Sequence, residues 1–108
     1  MKIKIKGTKI KLTPKINDYV QLKMNMLDKY LGDVQVLHCD VEIEKTLPSQ
    51  KSGDVYRAEV NLQVPREMLR VEKTEKDLFK AIDKVKDHLA RSVKKYKEKI
   101  QDAKRKQK

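Results

Sequence analysis

The spacing of hydrophobic residues along this chain switches between a period of two and a longer period, and each switch marks an element. Lysine and isoleucine alternate over residues 2–6, which is the pattern of a half-buried strand. Residues 36–45, 55–64 and 68–73 alternate in the same way, so we predict four strands. The side chains expected to face inward on the last three strands are Leu37, Cys39, Val41, Ile43, Tyr56, Ala58, Val60, Leu62, Val64, Leu69 and Val71.

A helical period separates the first strand from the second. Thr13 followed by Pro14 is typical of a helix start, with threonine as the N-cap and proline at the first helical position. Gly32 is the expected C-cap. We therefore predict one amphipathic helix over residues 16–31, with a stripe formed by Ile16, Tyr19, Val20, Lys23, Met24, Leu27 and Leu31.

The last third of the chain predicts a single long helix. Thr74, with Asp77 three residues later, is the expected capping box, and residues 75–100 form the helix. Such a helix is roughly 39 Å long, whereas a ten-residue strand spans about 33 Å. It should therefore overhang the sheet, and residues 101–108 should fray into a basic tail. Its apolar stripe is Leu78, Ile82, Val85, Leu89, Val93, Tyr96 and Ile100.

These elements predict an α+β fold of order βαβββα. The helix between the first two strands requires them to lie parallel with a right-handed crossover, and the later strands form a meander through a loop at 47–53 and a turn at 65–67. Both helices must bury their stripes on one face of a four-stranded mixed sheet. We expect one domain over residues 1–100.

Charge is distributed unevenly along the chain. The net charge is +11, and residues 73–108 alone contain fourteen Lys or Arg and six Asp or Glu, a net of +8. This segregation favours a polyanion as partner, with structured RNA as the first choice. Aromatic residues make up only 5% of the chain, which argues against single-strand recognition by base stacking.

Several classes of function are disfavoured by composition. Cys39 is the single cysteine, so the chain has no intrachain disulfide and no cysteine pair for zinc. The N-terminus contains no long apolar run, so neither a signal peptide nor a membrane-spanning helix is expected. We therefore expect a cytoplasmic protein with no cofactor, no metal, no membrane contact and no small-molecule substrate.

The predicted outer face of the last helix is the main candidate site. Ion pairs such as Asp83 with Lys86 or Asp87 with Arg91 would make it an ordinary solvated face. Residues 84–108, however, contain eleven basic and three acidic side chains, too few acids to neutralise it. The candidate RNA-binding residues, including one from the first helix, are Lys23, Lys80, Lys84, Lys86, Arg91, Lys94, Lys95, Lys97 and Lys99.

The predicted solvent face of the sheet is mixed in charge. Paired carboxylates there could perform acid–base chemistry, as in a small hydrolase, but a cross-strand charge ladder is the simpler interpretation. His38 beside Asp40 lacks a third metal ligand, and His88 is expected to make a surface contact. The residues of this face are Asp40, Glu42, Glu44, Glu59 and Glu72, among Lys2, Lys4, Lys6, Arg57 and Arg70.

Several runs resemble the ribosome hibernation-promoting factors. Residues 77–83, 86–91 and 95–99 resemble the last helix of that family, and residues 3–7, 12–13 and 41–45 resemble its earlier elements. The resemblance implies the βαβββα fold. It also implies a non-enzymatic ligand of idle ribosomes, seated between head and body of the small subunit, that excludes mRNA and tRNA sterically. The chain resembles the short form of the family, which lacks the dimerisation domain of the long members.

The resemblance also implies particular contacts. The basic residues of the family's helices match Lys23, Arg91, Lys95 and Lys99. Additional basic residues that would reach phosphate are Lys84, Lys86, Lys94 and Lys97. Three positions depart from the pattern: Met26 and His88 stand where lysine is usual, and Lys80 replaces a small residue. The expected partner is the small ribosomal subunit with its rRNA, and the protein is expected to be monomeric off the ribosome. A general structured-RNA-binding stress protein or RNA chaperone is the alternative.

Overall fold

Four strands form one sheet in the order in which they occur in the chain. The computed structural model describes residues 1–46 and 55–106, so the predicted loop at 47–53 lies outside the described residues. Strand β1 (Ile3–Thr8) pairs in parallel with β2 (His38–Lys45). Strands β3 (Tyr56–Val64) and β4 (Glu67–Glu75) extend the sheet antiparallel, which gives the order β1-β2-β3-β4. The predicted α+β class and topology are confirmed.

The helices cover one face of this sheet. Helices α1 (Pro14–Asn25) and α2 (Asp28–Leu31) follow β1, and α3 (Leu78–Lys106) follows β4. Helix α3 packs on β3 and β4, whereas α1 packs beside it and over β1. The core therefore lies between the helices and the sheet. Its largest fully buried side chains are Met24, Leu27, Leu31, Ile43, Leu62, Ile82 and Leu89.

The strands differ from the sequence prediction at their ends. Gly7 and Thr8, expected to loosen the chain, continue β1 opposite Ile43 and Glu44. A Cβ at Gly7 would lie 2.7 Å from the Ile10 carbonyl oxygen, so the following turn needs glycine there. Strand β2 begins at His38 rather than at residue 36, and the side chain of Leu37 is 48% exposed instead of facing inward. Side chains alternate between the two faces of a sheet only where the strand is hydrogen-bonded to a neighbour, and Leu37 precedes β2.

The predicted first helix is divided into two. Thr13 Oγ1 accepts a hydrogen bond from the Ile16 amide, and Gly32 ends α2 with φ +60°, so both predicted caps are confirmed. Between α1 and α2 the Leu27 amide donates to the Met24 carbonyl, a three-residue step that tightens the turn. Leu27 nevertheless keeps the inward position that the predicted stripe gives it and is fully buried.

The last helix begins and ends later than predicted. Thr74 pairs with Arg57 in β4, so the predicted Thr74 cap is wrong. Asp77 is the cap: its Oδ1 accepts hydrogen bonds from the amides of Phe79 and Lys80 at 2.8 and 3.3 Å. Helix α3 then continues to Lys106, so residues 101–106 are helical rather than frayed. They contain neither glycine nor proline, and the basic last turn suits the negative end of the helix dipole.

Candidate nucleic-acid interface

The outer face of α3 carries a row of exposed cations. The apolar stripe from Leu78 to Tyr96 is buried, which fixes the rotation of the helix and turns its opposite side to solvent. All five basic residues predicted to project from that side do so. They are Lys80, Lys84, Arg91, Lys94 and Lys95.

Two further candidates, Lys86 and Lys97, lie on the flank of α3 that faces the first helices. Lys97 is half-buried, and its Nζ donates to the Tyr30 carbonyl oxygen at 3.1 Å. Lys94 places its Nζ 5.1 Å from the centre of the Tyr30 ring. These contacts fasten α2 to α3, so both lysines have a structural task besides any contact with an anion. Lys86, also half-buried, pairs with its neighbour Asp87 at 2.5 Å.

Lys23 is the candidate contributed by α1, and its charge is already compensated. Its Nζ lies 3.2 Å from Asp83 Oδ1, an oxygen that also accepts a 2.6 Å hydrogen bond from the Tyr19 hydroxyl. That hydrogen bond, followed by burial and by the charge of Asp83, raises the pKa of Tyr19 to about 12. Asp83 therefore joins α1 to α3, instead of forming the pair with Lys86 that an ordinary solvated face would have. Lys23 has less free charge to offer than the outer residues.

The boundary between α3 and the edge strand β4 carries a second group of cations. Lys84 pairs with Glu75 at one end, and Lys99 pairs with Glu67 at 3.3 Å at the other. Between them lie Lys73, Arg91 and Lys95, which we call the edge cluster. In the described part of the chain, no carboxylate lies within 4 Å of these three cations. Positive charge is thus concentrated at the middle of α3.

His88 lies inside the edge cluster, half-buried rather than at the surface as predicted. Its Nδ1 is buried without a hydrogen-bond partner among the described residues. Burial, then the charges of Lys73, Arg91 and Lys95, lower the pKa of the imidazole below its ordinary value. The neutral form of His88 is therefore favoured, so the imidazole adds no further positive charge beside the three cations of the edge cluster.

Sequence reasoning missed Lys73 as a member of this group. The signal was present, because residues 67, 69, 71, 73 and 75 alternate onto one face of β4. Leu69 and Val71 on that face are buried under α3, so Lys73 must emerge beside the helix. The predicted strand ended at residue 73 and the next residue was assigned to a cap, which hid this consequence.

The solvent-exposed face of the sheet carries a network of ion pairs centred on Arg57. The Arg57 guanidinium, 18% exposed, donates to Glu42 and Glu44 at 2.8 Å each. Further bonds join Arg57 to Glu59 at 3.0 Å and to Glu72 at 3.4 Å. Burial disfavours the charged guanidinium, but these carboxylates outweigh it and raise the pKa of Arg57. The predicted cross-strand ladder is confirmed.

The carboxylates of this network have no free acid–base role. The Thr8 hydroxyl donates to Glu42 at 2.6 Å and, with Arg57, lowers the pKa of that carboxyl despite some burial. Glu59 is desolvated, yet Arg70 and Asn61 lower its pKa. Both stay ionised and paired. In residues 1–46 and 55–106, no group of three or more metal-ligating side chains is found.

Cys39 is enclosed in the core at 1% exposure, as predicted from its inward position on β2. Burial and the nearby charge of Asp40 raise the pKa of its thiol to about 12. No helix among the described residues combines the length and the hydrophobicity that crossing a bilayer requires.

A four-stranded sheet covered on one face by helices, one of them long and cationic, defines a small α+β domain suited to binding a polyanion. The chain belongs to the family described as Sigma 54 modulation protein / S30EA ribosomal protein, whose model matches residues 3–101. The resemblance to hibernation-promoting factors drawn from the sequence is therefore confirmed.

The curated relatives of this chain include proteins named ribosome hibernation promotion factor. The protein from Picosynechococcus sp. is 31% identical over 100 residues, covering 92% of this chain and 50% of the relative. The protein from Lactococcus lactis subsp. cremoris is 33% identical over 97 residues, covering 90% and 50%. The chain thus spans about half the length of the curated relatives it matches.

Two solved structures are similar to this fold. The N-terminal domain of Protein Y from Thermus thermophilus superposes with a TM-score of 0.73 at 33% identity, covering 89% of this chain and 99% of that domain. A ribosomal subunit interface protein from Coxiella burnetii gives a TM-score of 0.71, covering 90% and 98%. At 15% identity, the second match supports the fold alone.

Proposed function

We propose that this protein is a non-enzymatic ribosome hibernation factor of the cytoplasm. In this proposal it binds the small ribosomal subunit near the decoding region and prevents mRNA and tRNA from entering. One observation carries the choice of surface. The edge cluster, together with Lys80 and Lys94 of α3, has no carboxylate within 4 Å among the described residues, whereas the carboxylates that surround Arg57 on the sheet are held in ion pairs. The names of the relatives support the ribosome as the partner.

The mechanism is steric and electrostatic. Lysine and arginine contacts to phosphate supply affinity and fix orientation without reading sequence. We place Arg91 and Lys95 at the centre of the interface, with Lys73 beside them and Lys80, Lys84, Lys94 and Lys99 around them. Lys23, Lys86 and Lys97 lie on the flank toward α1 and α2, where their intramolecular partners position them for weaker contacts.

The test compares two double charge reversals with the same change in net charge. Arg91→Glu with Lys95→Glu should abolish co-sedimentation with purified small subunits, because each reversal removes an attraction and adds a repulsion. Lys2→Glu with Lys4→Glu alters two exposed lysines, one in β1 and one directly before it, and should leave binding nearly intact. An equal loss of subunit binding in both variants would show that net charge alone drives binding. Normal binding by the α3 variant would show that α3 is not the interface.

A second measurement separates hibernation from general RNA binding. Initiator tRNA and an mRNA carrying a ribosome-binding sequence should compete with the protein for the small subunit. A general RNA chaperone would bind free structured RNA equally well and would not be displaced from subunits by these ligands.

A further inference from the structure

The C-terminal end of α3 extends past the sheet and leaves part of its apolar stripe uncovered. Helix α3 has 29 residues, about 44 Å, whereas β3 and β4 have nine each. The spacing of the stripe continues beyond Tyr96 to Ile100 and Ala103, but Ile100 is 36% exposed and Ala103 is exposed. The turn between β3 and β4 approaches this end of the helix from one side.

A groove of about 380 Å³ lies between that turn and the helix. Pro65, Tyr96, Ile100 and Ala103 supply its apolar surfaces. The Tyr96 hydroxyl donates to the Pro65 carbonyl oxygen at 2.8 Å, which ties the turn to the helix. The groove is therefore present before any partner arrives, so ordering it costs a ligand little.

The rim of the groove is cationic. Arg66, Lys99 and Lys104 line it, together with one carboxylate, Glu67. Lys99 neutralises Glu67 at 3.3 Å, while Arg66 and Lys104 have no ion-pair partner in the part of the chain that the structure describes. An occupant must therefore combine negative charge with apolar side chains.

We propose that this groove binds an acidic peptide segment of a partner protein through one or two apolar side chains. The Tyr96 ring is only 5% exposed, so it offers no face on which an RNA base could stack. A second copy of this chain would bring another +11 charge against an already cationic rim. An acidic segment satisfies both the rim and the apolar floor, with its side chains as anchors. This site shares Lys99 with the margin of the proposed RNA interface and otherwise lies outside it.

The probe is a fluorescent acidic peptide of about eight residues, with leucine and phenylalanine at its centre and aspartate and glutamate around them. Titrated into the ¹⁵N-labelled full chain, it should shift amide signals of residues 65–67 and 96–104 and leave those of residues 80–91 unchanged. The same peptide with serine replacing both apolar residues should bind about tenfold or more weakly.

Ala103→Glu, which fills the groove and adds a negative charge, should weaken peptide binding about tenfold or more while leaving subunit binding nearly unchanged. Leu22→Glu is the matched control, because Leu22 on α1 is also an exposed apolar residue, at 54%. Equal affinity for the serine peptide, or no effect of Ala103→Glu, would overturn the proposal. So would a dimer in sedimentation that Ala103→Glu dissociates, since the occupant would then be a second copy.

Discussion

His88 links the stability of the fold to pH through a single side chain. Burial and the surrounding Lys73, Arg91 and Lys95 lower the pKa of its imidazole in the folded state. The unfolded chain takes up that proton near the ordinary value of 6.5, so between the two pKa values the unfolded state binds more protons. The contribution of His88 to stability is therefore present above that value and is lost as the pH falls below it.

His88→Gln should remove this component, because glutamine has a similar polarity and does not titrate. Thermal unfolding measured between about pH 7.5 and pH 5.5 should show a smaller loss of Tm for the variant than for the parent. If Tm falls equally with pH in the variant and in the parent, other titrating groups cause the loss of stability. Glu42, Glu59 and Glu75 titrate at lower pH, since the pKa of each carboxyl is itself lowered.

Met26 tests whether the first helices face RNA. It lies at the junction of α1 and α2, and its side chain is 39% exposed, so lysine can replace it without entering the core. If this surface faces phosphate, Met26→Lys should increase affinity for the small subunit by about 0.5–1.5 kcal/mol, the scale of a hydrogen bond. The gain should shrink with added salt. Unchanged affinity with an unchanged Tm would place this surface outside the interface.

At the scale of elements, the sequence predicted all four strands and both helical regions. It missed the division of the first helix into α1 and α2 and the points where several elements end. Alternation and helical stripes report burial, and burial continues as far as the core does. The ends depend on pairing between distant segments, such as Thr74 with Arg57, and on local competition between caps. The exposure of the α3 cations could be predicted, because the apolar stripe sets which side of the helix faces solvent. The neutralisation of Lys23 by Asp83 could not, because it needs the packing of α1 on α3.

The cap of α3 can be located by mutation. Asp77→Ala should destabilise the fold by about 1 kcal/mol, typical for loss of an N-cap, and lower Tm by about 4–8 °C. Thr74→Val removes a hydroxyl but keeps the branched shape that suits a strand, so it should cost less than about 0.5 kcal/mol. If Thr74→Val were the more damaging change, the helix would begin at Thr74 in solution.

The ion-pair network on the sheet is expected to matter for folding and not for binding. Register places Glu42, Glu59 and Glu72 side by side on three strands, a repulsive row that Arg57 bridges. Arg57→Ala should therefore destabilise the fold by about 2–3 kcal/mol, less than a fully buried pair would lose.

The expected change in Tm is a fall of about 10 °C or more. Arg70→Ala, which removes a side chain that is 64% exposed from the same Glu59, should cost only about 0.5 kcal/mol. Below the transition, both variants should bind small subunits like the parent. A binding defect in folded Arg57→Ala protein would bring the sheet into the interface.

For the whole molecule, shape and charge act together. The protein measures 55 × 30 × 18 Å, and its long dimension gives α3 room to present cations over several turns. Four acids of the open sheet face, Glu42, Glu44, Glu59 and Glu72, pair with Arg57 or Arg70. Glu75 and Glu67 pair with lysines at the two ends of the α3–β4 boundary. One side of the molecule is thus locally neutral and the other strongly positive, which orients it toward a polyanion before contact.

Salt dependence should show which cations carry this effect. Each phosphate contact releases counterions, so the slope of log affinity against log salt falls by about 1 for each contact removed. Arg91→Gln with Lys95→Gln should therefore reduce the slope by about 2 in subunit-binding titrations between roughly 50 and 200 mM salt. Lys23→Gln should change it by clearly less than 1, because Asp83 at 3.2 Å already compensates that charge. A full unit lost in Lys23→Gln would mean that the Lys23–Asp83 pair opens on binding and that α1 joins α3 in holding the RNA backbone.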